Sequence, residues 1–161
     1  MTMKITITIV FLTIIYFGSV EQSKGQNLTS IQRSKIERQV DSIFLYMVKA
    51  AENVDYNTIS TGVDDKYNAG FIVNNSYYSS YNSMISILKA NLQNGTKQSI
   101  TFQNKKITVL SDSIVLLTAS GTANVELGTG QSFVTNFFWS FVYEKINNNW
   151  KVIQSHQSLS N

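Results

Sequence analysis

Four long runs of β-branched and aromatic residues follow one another in the second half of the chain, and they constrain its fold more than any other feature. They extend over Ser99 to Leu110, Ser113 to Leu127, Ser132 to Lys145 and Trp150 to Ser158. Only short links separate them, including Gly128-Thr129-Gly130 and Asn147-Asn148-Asn149, and such links favour antiparallel neighbours. The pattern therefore predicts a four-stranded antiparallel meander.

The first half of the chain has helical patterns instead. Between Leu28 and Asn53, apolar residues recur every three or four positions opposite a charged side, which is typical of an amphipathic helix. Asp55 is placed to cap a short second helix that ends at Gly62. A third helix is predicted to begin after a cap at Ser80 or Asn82.

Between the second and third helices, two segments have the composition of short strands. Ala69 to Val73 and Tyr77-Tyr78 are rich in strand-forming residues, and Asn74-Asn75-Ser76 between them is a turn signal. One or two short strands are therefore predicted here. Helices followed by a meander indicate the α+β class.

The N-terminal segment is predicted to be a secretory signal peptide, residues 1–25. A basic start at Lys4 precedes an uncharged, mostly apolar run from Ile5 to Val20, and small residues Ser23 and Gly25 stand before a cut at Gln26. The run is shorter than the roughly 20 residues that a bilayer-spanning helix needs. We therefore expect a secreted or periplasmic protein, a single domain over residues 26–161, and no membrane attachment after cleavage.

Composition excludes several classes of function. The chain carries 13 Lys and Arg against 10 Asp and Glu, and its basic residues form no concentrated stripe of the kind that nucleic-acid binding requires. It contains no cysteine and a single histidine, so disulfides are excluded and a zinc or iron site is not expected. No cofactor and no nucleic-acid partner are predicted.

The last strand-like run places that histidine near the end of the sheet. Because alternate side chains of a strand share a face, Trp150, Val152, Gln154, His156 and Ser158 are predicted to point the same way. An aromatic and apolar stretch that leads to an imidazole and a hydroxyl is typical of a pocket floor.

The predicted strands are apolar on both faces. In Ser132 to Lys145, one face would carry Phe137 and Trp139 and the other Val134 and Phe138. A sheet with one solvated face should alternate more cleanly, so the second face needs cover. A homodimer through the sheet would supply it, and strong curvature of a long sheet is the alternative.

The order of elements resembles the nuclear transport factor two-like superfamily, in particular its SnoaL-like and ketosteroid-isomerase-like subgroup. The ending of the chain is similar too, and it reads Trp150-Lys151-Val152-Ile153-Gln154-Ser155-His156-Gln157-Ser158. The resemblance extends over about Leu28 to Ser158. It implies a cone in which a curved antiparallel sheet wraps around three N-terminal helices and leaves a pocket between them. The superfamily includes isomerases, dehydratases, cyclases, ligand-binding modules and assembly domains, so the fold alone does not define an activity.

In the isomerase branch of that superfamily, an aspartate on the first strand is the general base. The matching segment here, Phe71-Ile72-Val73-Asn74-Asn75-Ser76, has asparagine at that place. An amide does not take up a proton at neutral pH, so the isomerase mechanism does not transfer to this chain.

His156 is the candidate catalytic residue, as a general base or as a hydrogen-bond anchor, because its unperturbed pKa lies near neutrality. The alternative is a structural histidine. The candidate ligand-binding residues are Tyr46, Tyr77, Asn124, Asn136, Trp139, Trp150, Gln154 and Ser158. Three functions remain open: binding of a small, largely apolar molecule in the cone, a cofactor-free isomerase or lyase that uses His156, and a non-catalytic dimeric interaction module.

Overall fold

The computed structural model describes residues 27–91 and 96–160, so the predicted signal peptide lies outside the described residues. The elements are α1 (Ser30–Glu52), α2 (Tyr56–Thr61), β1 (Phe71–Val73), β2 (Ser76–Tyr78), α3 (Tyr81–Asn91), β3 (Lys97–Val109), β4 (Ile114–Glu126), β5 (Ser132–Ile146) and β6 (Asn149–Ser160). The predicted α+β class, the helices and the four-stranded meander are confirmed. Within the described ranges, no helix is both long and apolar enough to cross a membrane.

The strands form one six-stranded sheet in the order β2-β1-β6-β5-β4-β3. The long strands β3 to β6 are antiparallel neighbours, whereas β1 runs parallel to β6, so the sheet is mixed. The β5–β6 hairpin turns at Asn147 and Asn148, whose φ angles are 49° and 63°. A two-residue hairpin with positive φ at both positions suits asparagine, which explains the asparagine run in the sequence.

Local capping determines where the helices begin and end. Thr29 and Gln32 form a reciprocal capping box at the start of α1, in which the Gln32 amide donates to Thr29 Oγ1 and the Thr29 amide donates to Gln32 Oε1. Asp55 caps α2 through a hydrogen bond from the Thr58 amide, and α2 ends at Gly62, as predicted. The buried face of α1, which includes Val40 and Phe44, packs against the sheet.

Two β-bulges interrupt the long strands. The register shifts between Phe102 and Asn104 on β3, and opposite Val142 and Tyr143 on β6, where Ile153 is the extra residue. A bulge bends its strand and increases the local twist. The curved sheet wraps around the helices as a cone, as the resemblance implies.

The bulge at Ile153 corrects one prediction. Trp150 and Val152 point into the core, but beyond the bulge the alternation reverses, so Ser155 is buried and His156 is exposed. The five alternate residues of the last run therefore do not share a face, because an extra residue in a strand moves every later side chain to the opposite side.

Candidate functional site

A cavity of about 350 Å³ lies between the concave face of the sheet and the helices. Its walls are mostly apolar side chains, such as Phe44 and Met47 from α1, Met84 and Leu88 from α3, and Phe141 from β5. A volume of this size is at the lower end of what small-molecule pockets usually have. The cone therefore contains a preformed apolar site.

The described residues that line the cavity include no charged side chain and no histidine. An ionised ligand would lose its hydration without gaining a counter-ion there, which costs several kcal/mol as an order of magnitude. The described lining therefore offers no counter-ion to a charged group.

The sheet wall of the cavity carries two neighbouring polar side chains on β6. Gln157 Nε2 donates to Ser155 Oγ at 3.2 Å, and the Ser155 side chain is buried. Gln157 pairs across the strands with Trp139, whose ring stacks on Phe137 with the ring centroids 4.0 Å apart. The amide thus lies beside a fixed aromatic wall.

Two other polar side chains of the lining have backbone partners. Gln98 Nε2 donates to the Ala51 carbonyl oxygen at 2.7 Å, and Thr135 Oγ1 donates to the Ser160 carbonyl oxygen at 3.2 Å. These bonds tie β3 to α1 and β5 to β6. Both side chains thus contribute to the framework around the cavity.

Three tyrosines of the lining are held in the protonated form. Burial raises the pKa of Tyr56, of Tyr81 and of Tyr143 above the ordinary value of 10.0. At Tyr81 the nearby Ser60 hydroxyl opposes this rise in pKa. The Ser60 hydroxyl donates its own hydrogen bond to the Tyr56 carbonyl oxygen at 2.6 Å, however, and no well-aligned hydrogen bond to the Tyr81 hydroxyl forms within the described ranges. None of these phenols is suited to act as a base near neutral pH.

The structure places Trp139 alone, among the nine sequence-predicted site residues, in the lining of the described cavity. Trp150 is buried in the core, where its Nε1 donates to Gln39 Oε1 at 3.2 Å. Tyr46 and Tyr77 are 61% and 66% exposed. Asn124 and Asn136 are also exposed.

The remaining three candidates lie on the outer face of the sheet. His156 is exposed and its Nε2 is 3.1 Å from Ser158 Oγ. Both line an open groove of about 620 Å³ that Asn104, Lys106 and Phe138 also border. Gln154 is on this face too, so these residues are separated from the cavity by the sheet.

Ser155 and Gln157 were missed by sequence reasoning because strict alternation places them on the outer face. The sequence does contain a signal. Trp150 and Val152 reach the core only if the even-numbered residues of the strand point inward, whereas Leu159 lines the cavity only if the odd-numbered ones do. Conflicting parities within one strand indicate a bulge between them.

The comparisons with known proteins agree with this geometry. A family model described as the SnoaL-like domain matches residues 40–161. A nuclear transport factor 2-like superfamily protein from Salmonella enterica serovar Typhimurium is similar in structure, with 14% identity, a TM-score of 0.69, and coverage of 80% of this chain and 94% of that protein. No functionally curated protein matches the sequence at a significant level.

Two further solved structures have the same fold. A hexachlorocyclohexane dehydrochlorinase of type 2 aligns at 13% identity with a TM-score of 0.66, covering 83% of this chain and 90% of that one. A protein of unknown function from Pseudomonas putida aligns at 12% identity with a TM-score of 0.63, covering 78% of this chain and 87% of that one. At these identities the likeness concerns the fold alone.

Proposed function

We propose, from the premise that the chain belongs to the SnoaL-like domain family, that it binds a small, uncharged, largely apolar molecule in its cone. The observation that carries the proposal is the cavity of about 350 Å³ whose described lining is apolar and contains no charged side chain. Removing apolar ligand surface from water provides roughly 25 cal/mol per Å². A preformed cavity adds affinity because little structure has to be ordered on binding.

The geometry gives less support to a cofactor-free isomerase or lyase. A general base must come within hydrogen-bond reach of the proton that it removes, and His156 is on the opposite side of the sheet from the cavity. Asn74, in the segment where the resemblance would place an aspartate, accepts a hydrogen bond from the Leu159 amide at 2.7 Å and is absent from the described lining. Its amide therefore has a structural partner.

A thermal-shift screen of residues 26–161 against uncharged hydrophobic metabolites tests the proposal. A ligand that binds only the folded state raises the melting temperature, by an amount that increases with its concentration relative to Kd. Ala123→Leu, which fills part of the cavity from β4, should abolish the shift. Asn124→Leu changes the neighbouring, outward-facing residue and should preserve it.

A shift of equal size in both variants would place the ligand outside the cavity. Absence of any shift in the wild-type protein would reject small-molecule binding and favour the interaction module.

Export through the N-terminal segment is part of the proposal. Detection of the protein in the cytoplasmic fraction, with the segment retained, would contradict it.

A homodimer through the outer face of the sheet is a separate part of the proposal. On β5, Val134 and Phe138 are 63% and 56% exposed, and an apolar patch of this kind on a sheet is typical of an association surface. Phe138→Glu should convert a dimer to a monomer in sedimentation velocity, whereas Tyr46→Glu, a change at an exposed aromatic residue of α1, should not. A monomeric wild-type protein would refute association.

A further inference from the structure

We propose that Gln157 is the specificity-determining residue of the cavity, and that it selects a ligand whose apolar body ends in an uncharged group that both donates and accepts hydrogen bonds, such as an alcohol or a carboxamide. This inference rests on the proposed binding function and deepens it. The Ile153 bulge carries the argument, because it turns the Gln157 amide, and not the His156 imidazole, to the inner side of the sheet.

The Gln157 amide can form more hydrogen bonds than it forms within the described residues. A glutamine side chain offers two N–H donors and one carbonyl acceptor. One donor is engaged with Ser155 Oγ at 3.2 Å, and no further bond of this side chain is present among the described residues. One N–H and the carbonyl oxygen therefore remain for a ligand, which is the complement of a group that both accepts and donates.

The backbone and the side-chain amide of Gln157 are both held by hydrogen bonds. Asn74, the residue that follows β1, holds the backbone of β6 at Gln157 and at Leu159. The Asn74 amide donates to the Gln157 carbonyl oxygen at 2.8 Å, and the Leu159 amide donates to Asn74 Oδ1 at 2.7 Å. With Ser155 fixing the amide itself, little conformational freedom is lost when a ligand binds, so the hydrogen bonds contribute most of their strength.

The described lining carries no cation to pair with a carboxylate and no carboxylate to pair with an amine. A charged end group would therefore be buried without a partner, which is unfavourable. An end group that has no polar atom would leave the Gln157 amide desolvated and unbonded, which is also unfavourable. The uncharged polar end group avoids both penalties.

Four probes of nearly the same shape test the inference: phenylcyclohexane, 4-phenylcyclohexanone, 4-phenylcyclohexanol and 4-phenylcyclohexanecarboxylate. Their affinities are measured by calorimetry on residues 26–161. We expect the alcohol to bind tightest, the ketone less tightly, and the hydrocarbon about 5- to 100-fold more weakly than the alcohol, with the carboxylate weakest.

Gln157→Leu should bring the ratio of alcohol to hydrocarbon affinity close to one, while the hydrocarbon binds at least as tightly as before. Gln154→Leu is the matched control, since it makes the same change on the same strand but on the outer face, and it should keep the wild-type ratio.

The outcomes separate the inference from the proposed function. Binding of all four probes with equal affinity, or an unchanged ratio in Gln157→Leu, overturns the role of Gln157 and leaves cavity binding intact. Failure of every probe to bind the wild-type protein overturns both. If Gln157→Leu does not fold, the ranking of the four probes on the wild-type protein decides the question without it.

Discussion

Replacing Gly121 by alanine should disrupt the sheet at a tight contact between β3, β4 and β5. Gly121 lies opposite Phe102 on β3 and Phe137 on β5. A Cβ at this position would be 2.0 Å from the Thr101 carbonyl oxygen, 2.9 Å from Phe137 Cζ and 3.0 Å from Phe102 Cα. Two of these three atoms belong to the backbone, so no side-chain rotation can relieve the contact.

The magnitude follows from what has to move. A carbon and a carbonyl oxygen in contact are normally more than 3 Å apart, so β3 must shift by about 1 Å next to its bulge. Overpacking of a core costs about 1–3 kcal/mol, and each ladder hydrogen bond broken by the shift adds about 1 kcal/mol. We expect a loss of about 3–4 kcal/mol, which lowers the melting temperature of a domain of this size by roughly 10 °C.

The matched control is Gly62→Ala. There the added Cβ would be 2.6 Å from Met47 Sδ, the end of a flexible side chain, and the backbone has no positive φ. Met47 can rotate away, so the loss should be near 1 kcal/mol. Urea denaturation of both variants gives the comparison. If Gly121→Ala is no less stable than Gly62→Ala, the close approach of β3 and β4 does not limit substitution, and the reasoning is refuted.

Three further predictions concern local interactions. Thr29→Ala removes the capping box of α1 and should lower the unfolding free energy by about 1 kcal/mol in urea, whereas Ser34→Ala, at an exposed site of α1, should change it little. Burial raises the pKa of Glu52, but hydrogen bonds from the Ile100 amide and from Lys49 outweigh burial and hold the pKa below 4.5. The ionised Glu52 carboxylate therefore stabilises the folded state above that pH, and this contribution is lost as the pH falls through the lowered pKa. Glu52→Gln should flatten the acid limb of a stability–pH curve, and an unchanged limb would contradict this. His156→Ala should change the affinity for a cavity ligand by less than about twofold, and a larger loss would return the histidine to the site.

The elements of this fold could be predicted because local physics determines them. Three of these features depend on residues close together in the chain: the apolar positions that recur every three or four residues in α1, the Asp55 cap and Gly62 stop of α2, and the asparagine turn before β6. The parallel pairing of β1 with β6 could not be predicted in this way. It joins segments about eighty residues apart, and a three-residue strand has too little pattern to specify its neighbour.

The candidate site could be predicted only in part. Trp139 lies in the cavity lining, on the inner set of β5 side chains, because β5 is regular along the stretch that faces the cavity. Asn136 lies on the same strand and points outward, because its face of the sheet is the convex one. The sequence does not distinguish the convex face from the concave one here, since both faces of β5 contain aromatic residues. When each face of a strand is apolar, periodicity identifies two sets of side chains without telling which one points inward.

The bulge at Ile153 reconciles two requirements that a regular β6 could not meet together. Near the start of β6, the Val152 amide donates to the Gly62 carbonyl oxygen at 2.8 Å, and Trp150 Nε1 donates to Gln39 Oε1. These two hydrogen bonds direct Trp150 and Val152 inward. At its end, pairing with β1 directs Ser155 inward beside Phe71.

Without the Ile153 bulge, His156 would face the apolar cavity, whose described lining holds no carboxylate, so burying a charged imidazole there would be unfavourable. The amide of Gln157 is uncharged, so it needs no counter-ion on the inner face, and one of its N–H groups is already bonded to Ser155 Oγ. A cavity lined in this way is therefore better suited to hold a neutral molecule than to remove a proton from one, and the same single-residue insertion that bends the sheet also determines this preference.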